Sequence, residues 1–294
     1  MYHEIINVYK EKGFTSHDVV AKLRGICKQK KIGHTGTLDP EAVGVLPVCL
    51  GSATKLCDML TDKTKEYVAV LKLGVVTDTQ DLTGTILEEH PVTVTEEQIR
   101  EVIFSFQGDQ LQIPPMYSAL KVNGKKLYEL AREGKEVERA ARPITIHEIE
   151  ILKEELPEIT IRVSCSKGTY IRTLCHDIGE KLGCGAAMET LLRTKVGRFT
   201  LDDAITLAQT EEAVRNGVIE QRILGIEEIL AEYPRVCCTK EGDRLLANGN
   251  PLVQALVNAE EKDGWIRMCN SEGSFAGVYQ WDEKRDRYFP VKMF

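Results

Sequence analysis

The chain has 294 residues, enough for about two domains. Its 43% hydrophobic and 28% charged residues, with only 10 prolines, exclude a disordered or fibrous protein. Uncharged stretches such as residues 42–53 fall short of the roughly 18 to 20 apolar residues of a membrane helix, and the net charge of −7 argues, on average, against a partner rich in phosphate.

Taken in order, Ile5, Ile6 and Val8 open a short strand, in a stretch where Glu4, Lys10, Glu11 and Lys12 replace the unbroken apolar core of a secretory signal. A cytoplasmic protein is therefore expected. Ser16 can cap a helix that turns Val19, Val20, Leu23, Ile26 and Cys27 to one side. Gly33, Gly36, Gly44 and Gly51 punctuate residues 31–53 too often for one regular element, and a loop packed closely on something is expected there. Residues 65–73 alternate as a strand, with Tyr67, Ala69, Leu71 and Leu73 on one face.

Thr95 and Gln98 make a capping box for a helix with Ile99, Val102, Ile103 and Phe106 inward. A strand over 117–122, the hairpin-type turn Asn123-Gly124 and a helix over 125–132 follow. Strands are predicted at 144–152 and 159–165, then a helix carrying Ile171, Leu174, Cys175, Ile178 and Leu182 inward. Two helices, about 205–214 and 219–231, fill an acidic segment, and Pro234 marks a boundary before a strand-rich tail.

Charge is segregated. Residues 201–232 hold eight acids and two bases, whereas Lys22, Arg24, Lys28, Lys30 and Lys31 form one basic run and Arg193, Lys195 and Arg198 another. The nine cysteines are odd in number and contain no C-x-x-C pair, so reduced thiols are expected rather than disulfides or a zinc site. Phosphate-loop, dinucleotide, zinc-protease and zinc-deaminase signatures are all missing.

Three segments carry chemistry. Asp39 before Pro40 reads as a helix N-cap or as a functional carboxylate. Tyr67 reads as core or as an aromatic platform. Arg172 stands at a helix start, where a cation opposes the helix dipole and invites a carboxylate partner such as Asp39.

Residues 31–56, KIGHTGTLDPEAVGVLPVCLGSATKL, closely resemble the signature loop of the bacterial TruB-type tRNA pseudouridine synthases. The resemblance continues through KEY at 65–67, TDTQDLTG at 77–84, QIPPMYSALKVNGKKLYELAREG at 112–134, CSKGTYIRTL at 165–174 and LGCGAAMETLLRTKVGRF at 182–199. It implies an α+β fold: a catalytic domain over 1–231 built on a mixed, largely antiparallel sheet, and a small β-rich PUA-like RNA-binding domain over 232–294. It implies isomerisation of a T-loop uridine, at tRNA position 55, by base flipping, glycosidic cleavage, base rotation and carbon–carbon reattachment.

By position in these motifs, Asp39 matches the catalytic aspartate, Tyr67 the tyrosine that packs on the target base, and Arg172 the arginine that pairs with the aspartate. His34, Tyr170 and Leu191 match positions lining the substrate site, and Lys121 belongs with the basic runs that would hold RNA backbone. The implied partner is tRNA, gripped at the T arm, with the acceptor end a candidate contact of the C-terminal domain. The resemblance implies a monomer that needs no protein partner, membrane, cofactor or metal.

Overall fold

The computed structural model describes residues 1–122, 124–258 and 262–294. Asn123, half of the hairpin turn expected from the sequence, lies outside the described residues; Lys121–Val122 and Lys125–Lys126 on either side of it pair antiparallel.

Among the described residues, the backbone of the molecule is a ten-stranded sheet. Its path runs Ile223–Leu224, Ile5–Lys10, Val43–Leu50, Ala186–Val196, Lys65–Leu73, Glu158–Cys165, Arg142–Glu155 and Gly108–Gln112. Neighbours on this path are antiparallel except Ala186–Val196 with Val43–Leu50, which are parallel through Leu192↔Val43 and Arg193↔Gly44. The fold is thus α+β on a mixed, largely antiparallel sheet. Lys65–Leu73 lies near its middle and alternates buried with half-buried side chains, putting Tyr67, Ala69, Leu71 and Leu73 in the core.

Helices cover the sheet where local sequence dictates them. Glu96–Phe104 starts at Thr95 with a reciprocal Thr95–Gln98 capping box and buries Ile99 and Ile103. Ile171–Leu182 buries Leu174, Cys175 and Ile178 and stops at Gly183, in the left-handed conformation. This helix lies very close to the sheet at Gly179, where a Cβ would stand 2.0 Å from the Ala186 nitrogen.

Four expectations need correction. The helix Ser16–Ile26 is capped by Thr15, whose side chain and Asp18 form the capping box; Ser16 is buried and its hydroxyl accepts the Leu38 N–H at 2.9 Å. Residues 31–53 are not one loop, because the apolar run Val43–Leu50 forms a central strand. Gly44, at φ 110°, is required where the Arg193 backbone approaches, since a Cβ would stand 2.2 Å from the Arg193 carbonyl oxygen. Only Lys121–Val122 of the strand expected over 117–122 forms, after the chain leaves Pro114-Pro115 in bends. The second acidic-segment helix is broken into a 3₁₀ turn, a two-residue strand and the short helix Ile226–Ile229, with Gly225 as its N-cap residue.

Residues 235–293 carry a separate five-stranded sheet, ordered Arg235–Cys237, Trp265–Cys269, Phe275–Asp282, Arg287–Met293 and Leu252–Val253. Its Val278 belongs to the same buried cluster as Ile5, Val45 and Leu56 of the first unit. Among the described residues no helix is long and apolar enough to cross a membrane.

Candidate active site

The site forms where the Asp39 loop, the strand Lys65–Leu73 and the first turn of Ile171–Leu182 converge. No helix follows Asp39, so its carboxylate does not cap one. The loop is held from beneath: the Leu38 N–H donates to Ser16 Oγ at 2.9 Å, and Lys10 Nζ donates to the Pro40 carbonyl at 3.0 Å. These bonds hold the loop, and the Asp39 side chain remains 40% exposed.

Arg172 is the buried member of the pair, its side chain only 6% exposed. Its Nε lies 2.9 Å from Asp39 Oδ2, and one Nη donates to Asp39 Oδ1 at 3.4 Å, a two-point contact. The remaining donors reach the carbonyls of Thr79 and Tyr117, both at 2.9 Å, and Asp81 Oδ2 lies 3.7 Å from the guanidinium. Two carboxylates offset the unfavourable placement of a cation at a helix N-terminus, which would otherwise cost roughly 0.3–1 kcal/mol. Asp81 is itself held by Thr79 Oγ1 at 2.8 Å and the Thr83 N–H at 3.0 Å, in a loop pinned to the Ala186–Val196 strand by reciprocal backbone bonds between Gln80, Leu82 and Met188.

Tyr67 is buried on the central strand, and its hydroxyl resists ionisation chiefly through burial, with Asp39 adding a smaller push in the same direction. Leu191, across the sheet on the neighbouring strand, shares a core cluster with Leu38 and Tyr67. Tyr170 is the N-cap residue of the Arg172 helix; its N–H donates to Gln112 Oε1 at 2.8 Å while Gln112 Nε2 donates back to its carbonyl at 3.0 Å. Burial raises the Tyr170 phenol as well.

His34 ends the strand Ile32–His34 and meets His17 edge-on, ring centroids 5.4 Å apart. Burial, then His17 and Arg193, hold its imidazole below the ordinary histidine range. Both rings line a cavity of about 550 Å³ that Arg24, Lys30 and Lys31 also line. Lys121 is exposed on the two-stranded hairpin.

Three residues of the site escaped the sequence. Asp81 sits in a matched motif, but nothing local shows its partner. Lys10 is fully buried, and burial pushes its ammonium down to about 8. Arg193, read from sequence as part of an RNA-holding basic run, is 1% exposed; its Nε donates to the Val45 carbonyl at 2.7 Å. That run is therefore reduced to Lys195 and Arg198, and Arg198 is tied to the Glu228 carbonyl at 2.9 Å. Among the described residues no group of three or more His, Cys, Asp or Glu side chains could hold a metal ion.

The family model described as TruB family pseudouridylate synthase (N terminal domain) matches residues 24–171, and that described as tRNA pseudouridylate synthase B C-terminal domain matches 172–231. The chain is 56% identical over 303 residues to a tRNA pseudouridine synthase B of Lachnoclostridium phytofermentans, covering 99% of each. It is 46% identical over 281 residues to the protein of that name from Clostridium acetobutylicum, covering 95% of this chain and 96% of the relative. Among solved structures it is similar to a chain of an H/ACA RNP bound to a substrate RNA containing 2'-deoxyuridine, at TM-score 0.73 and 26% identity, covering 99% of this chain and 85% of the other. A chain of a Cbf5-Nop10-Gar1 complex matches at TM-score 0.73 and 28% identity, covering 99% of this chain and 84% of the other.

Proposed function

The chain belongs to the TruB family of pseudouridylate synthases, and from that premise we propose that it isomerises uridine to pseudouridine in tRNA, at position 55 of the T loop, with Asp39 as the catalytic carboxylate. The observation that carries the assignment of Asp39 is the two-point contact of its partly exposed carboxylate with the buried Arg172, with buried Tyr67 nearby.

The reaction breaks the bond between uracil N1 and ribose C1′, turns the base, and joins its C5 to the same C1′; the C5 proton leaves and N1 regains one. Nothing is oxidised and nothing is lost, so the chemistry calls for no cofactor or metal. Positive charge developing on the ribose needs a carboxylate at hand, as in glycosidases, and the Arg172 contact keeps Asp39 charged and aimed. The stacked uridine must be flipped out to reach it. Tyr67 then offers an aromatic face, Leu191 an apolar wall and Tyr170 a lining position, while His34 fills the gap left in the loop.

Exposed Lys22, Arg24, Lys28, Lys30, Lys31 and Lys121 hold RNA backbone. Residues 1–231 form the catalytic domain, and 232–294 form a PUA-like domain that grips the acceptor end. The chain works as a monomer without a protein partner in the cytoplasm, in keeping with nine cysteines that are all free.

The test incubates the full chain with unmodified tRNA transcript and EDTA, maps pseudouridine by position, and repeats this with Asp39→Asn. One T-loop product, absent with the variant, is expected. No product from the parent chain, or a product that survives Asp39→Asn, would overturn the reading.

A further inference from the structure

Arg193 is the largest fully buried side chain of the molecule's described residues. It is the cross-strand partner of Tyr67, in register with it on the neighbouring antiparallel strand. Its Nε donates to the Val45 carbonyl at 2.7 Å and a terminal nitrogen reaches the Gly36 carbonyl at 3.4 Å. Its positive charge favours ionisation of the neighbouring Tyr67 phenol, against the larger opposing effect of burial. Among the described residues no Asp or Glu pairs with it.

A buried guanidinium without a carboxylate is costly unless negative charge reaches it. Its neighbours deepen the imbalance: Lys10, Lys65 and His34 each feel Arg193 as a like charge. The region beside Tyr67 thus gathers the cationic side chains of Arg193, Lys10 and Lys65, with Asp39, held by Arg172, acting on Lys10 from the far side.

Resting on the uridine-isomerase reading, we propose that Arg193 is a positioning residue that acts through Tyr67 to stabilise the departing uracil as an anion. A buried positive charge on the cross-strand neighbour draws electron density from the Tyr67 phenol and makes its O–H a stronger donor. When the N1–C1′ bond breaks, its electron pair goes to N1 and spreads onto the two uracil carbonyl oxygens. One of these accepts the Tyr67 proton as a hydrogen bond, and the buried charge of Arg193 polarises that bond. The ribose carbon left electron-poor faces Asp39. After the base turns, its C5–C6 electron pair forms the C5–C1′ bond, the C5 proton leaves and N1 takes one, which returns Tyr67 and Arg193 to their starting state. A preorganised donor aimed at developing negative charge is worth about 100-fold or more in rate.

The experiment compares the full chain with Arg193→Met, Tyr67→Phe and the double variant under single-turnover conditions, on tRNA carrying uridine or 5-fluorouridine at the target position. Fluorine makes the departing base a more stable anion, so it needs less help. Reaction is followed as loss of the N-glycoside, and tRNA Kd is measured for each chain. Arg193→Met is expected to bind tRNA within about twofold of the parent and to react on the order of 100-fold more slowly with uridine, the loss shrinking at least fivefold with fluorouridine. Added to Tyr67→Phe, it is expected to change the rate less than threefold.

Equal losses on the two substrates, additive losses in the double variant, or a loss that tracks Kd would overturn the proposal while leaving the isomerase reading intact. A parent chain that consumes neither substrate would overturn both. If Arg193→Met does not fold, Arg193→Lys carries the same comparison: it keeps the charge but loses the rigid fork, and a loss that is the same for both substrates would again overturn the proposal.

Discussion

Arg172 Nε meets Asp39 Oδ2 at 2.9 Å across 133 residues of sequence, and the arginine rather than the aspartate is the buried partner. The Asp39 side chain is 40% exposed, and the arginine's remaining donors meet Thr79, Tyr117 and Asp81. Arg172→Ala is expected to lower the single-turnover rate by about 100-fold or more, with tRNA Kd changed only a few-fold. Arg172→Lys should not restore it, since one ammonium cannot serve four partners. Rate and filter-binding measurements on the same preparations check this; parallel losses in rate and affinity would count against it.

Asp81→Asn keeps an oxygen for Thr79 and Thr83 but removes the second negative charge beside Arg172. The guanidinium is then less well compensated and less firmly held. A rate loss of about tenfold is expected with an unchanged melting temperature to within a few degrees, roughly what 1 kcal/mol of stability would move.

Lys10 titrates at about 8 in the fold, well below its ordinary value, because burial disfavours the charge. Between about pH 8 and pH 10 the unfolded chain therefore holds more protons at this position than the folded one, and stability from this group rises with pH. Lys10→Met lacks that titration. Measured by urea unfolding at pH 7.5 and pH 10, the parent should gain about 2 kcal/mol relative to the variant; the opposite sign would mean that Lys10 is not buried as a cation.

Gly44→Ala places a Cβ 2.2 Å from the Arg193 carbonyl oxygen at φ 110°. A loss of at least about 3 kcal/mol is expected, because backbone on both sides must move. An alanine variant as stable as the parent would contradict the parallel pairing of the two strands.

Lys30→Ala and Lys31→Ala should each reduce the slope of log K for tRNA against log salt by about 0.7–0.9, as each removes a phosphate contact. Arg193→Met should leave that slope unchanged, since its cation is out of reach of solvent.

Local signals were strong where structure is local. The Thr95–Gln98 capping box starts a helix as its spacing requires, and the apolar spacing from Ile171 to Ile178 places that face on the sheet. Reading failed where context competes with propensity. Ser16 looks like a cap, yet it is drawn inward to hold Leu38, and Thr15 beside it caps instead. The glycines at 33, 36, 44 and 51 look like a loop, yet the apolar residues between Gly44 and Gly51 are wanted in the middle of the sheet, with Gly44 at a close backbone approach.

The sequence by itself determined the family and the reaction class, because a 26-residue motif and its companions mark them without any knowledge of contacts, and it put forward Asp39, Tyr67 and Arg172 as candidates. Only the tertiary structure decided which cations are surface and which are core. Lys30 and Arg193 look alike in a basic run, but Lys30 is exposed whereas Arg193 is covered by chain more than a hundred residues away. Burial is a property of packing, and charge in a low-dielectric interior acts on the groups that packing brings to it. Lys10 beneath the Asp39 loop, Asp81 against Arg172 and Arg193 behind Tyr67 owe their effects to neighbours distant in the chain.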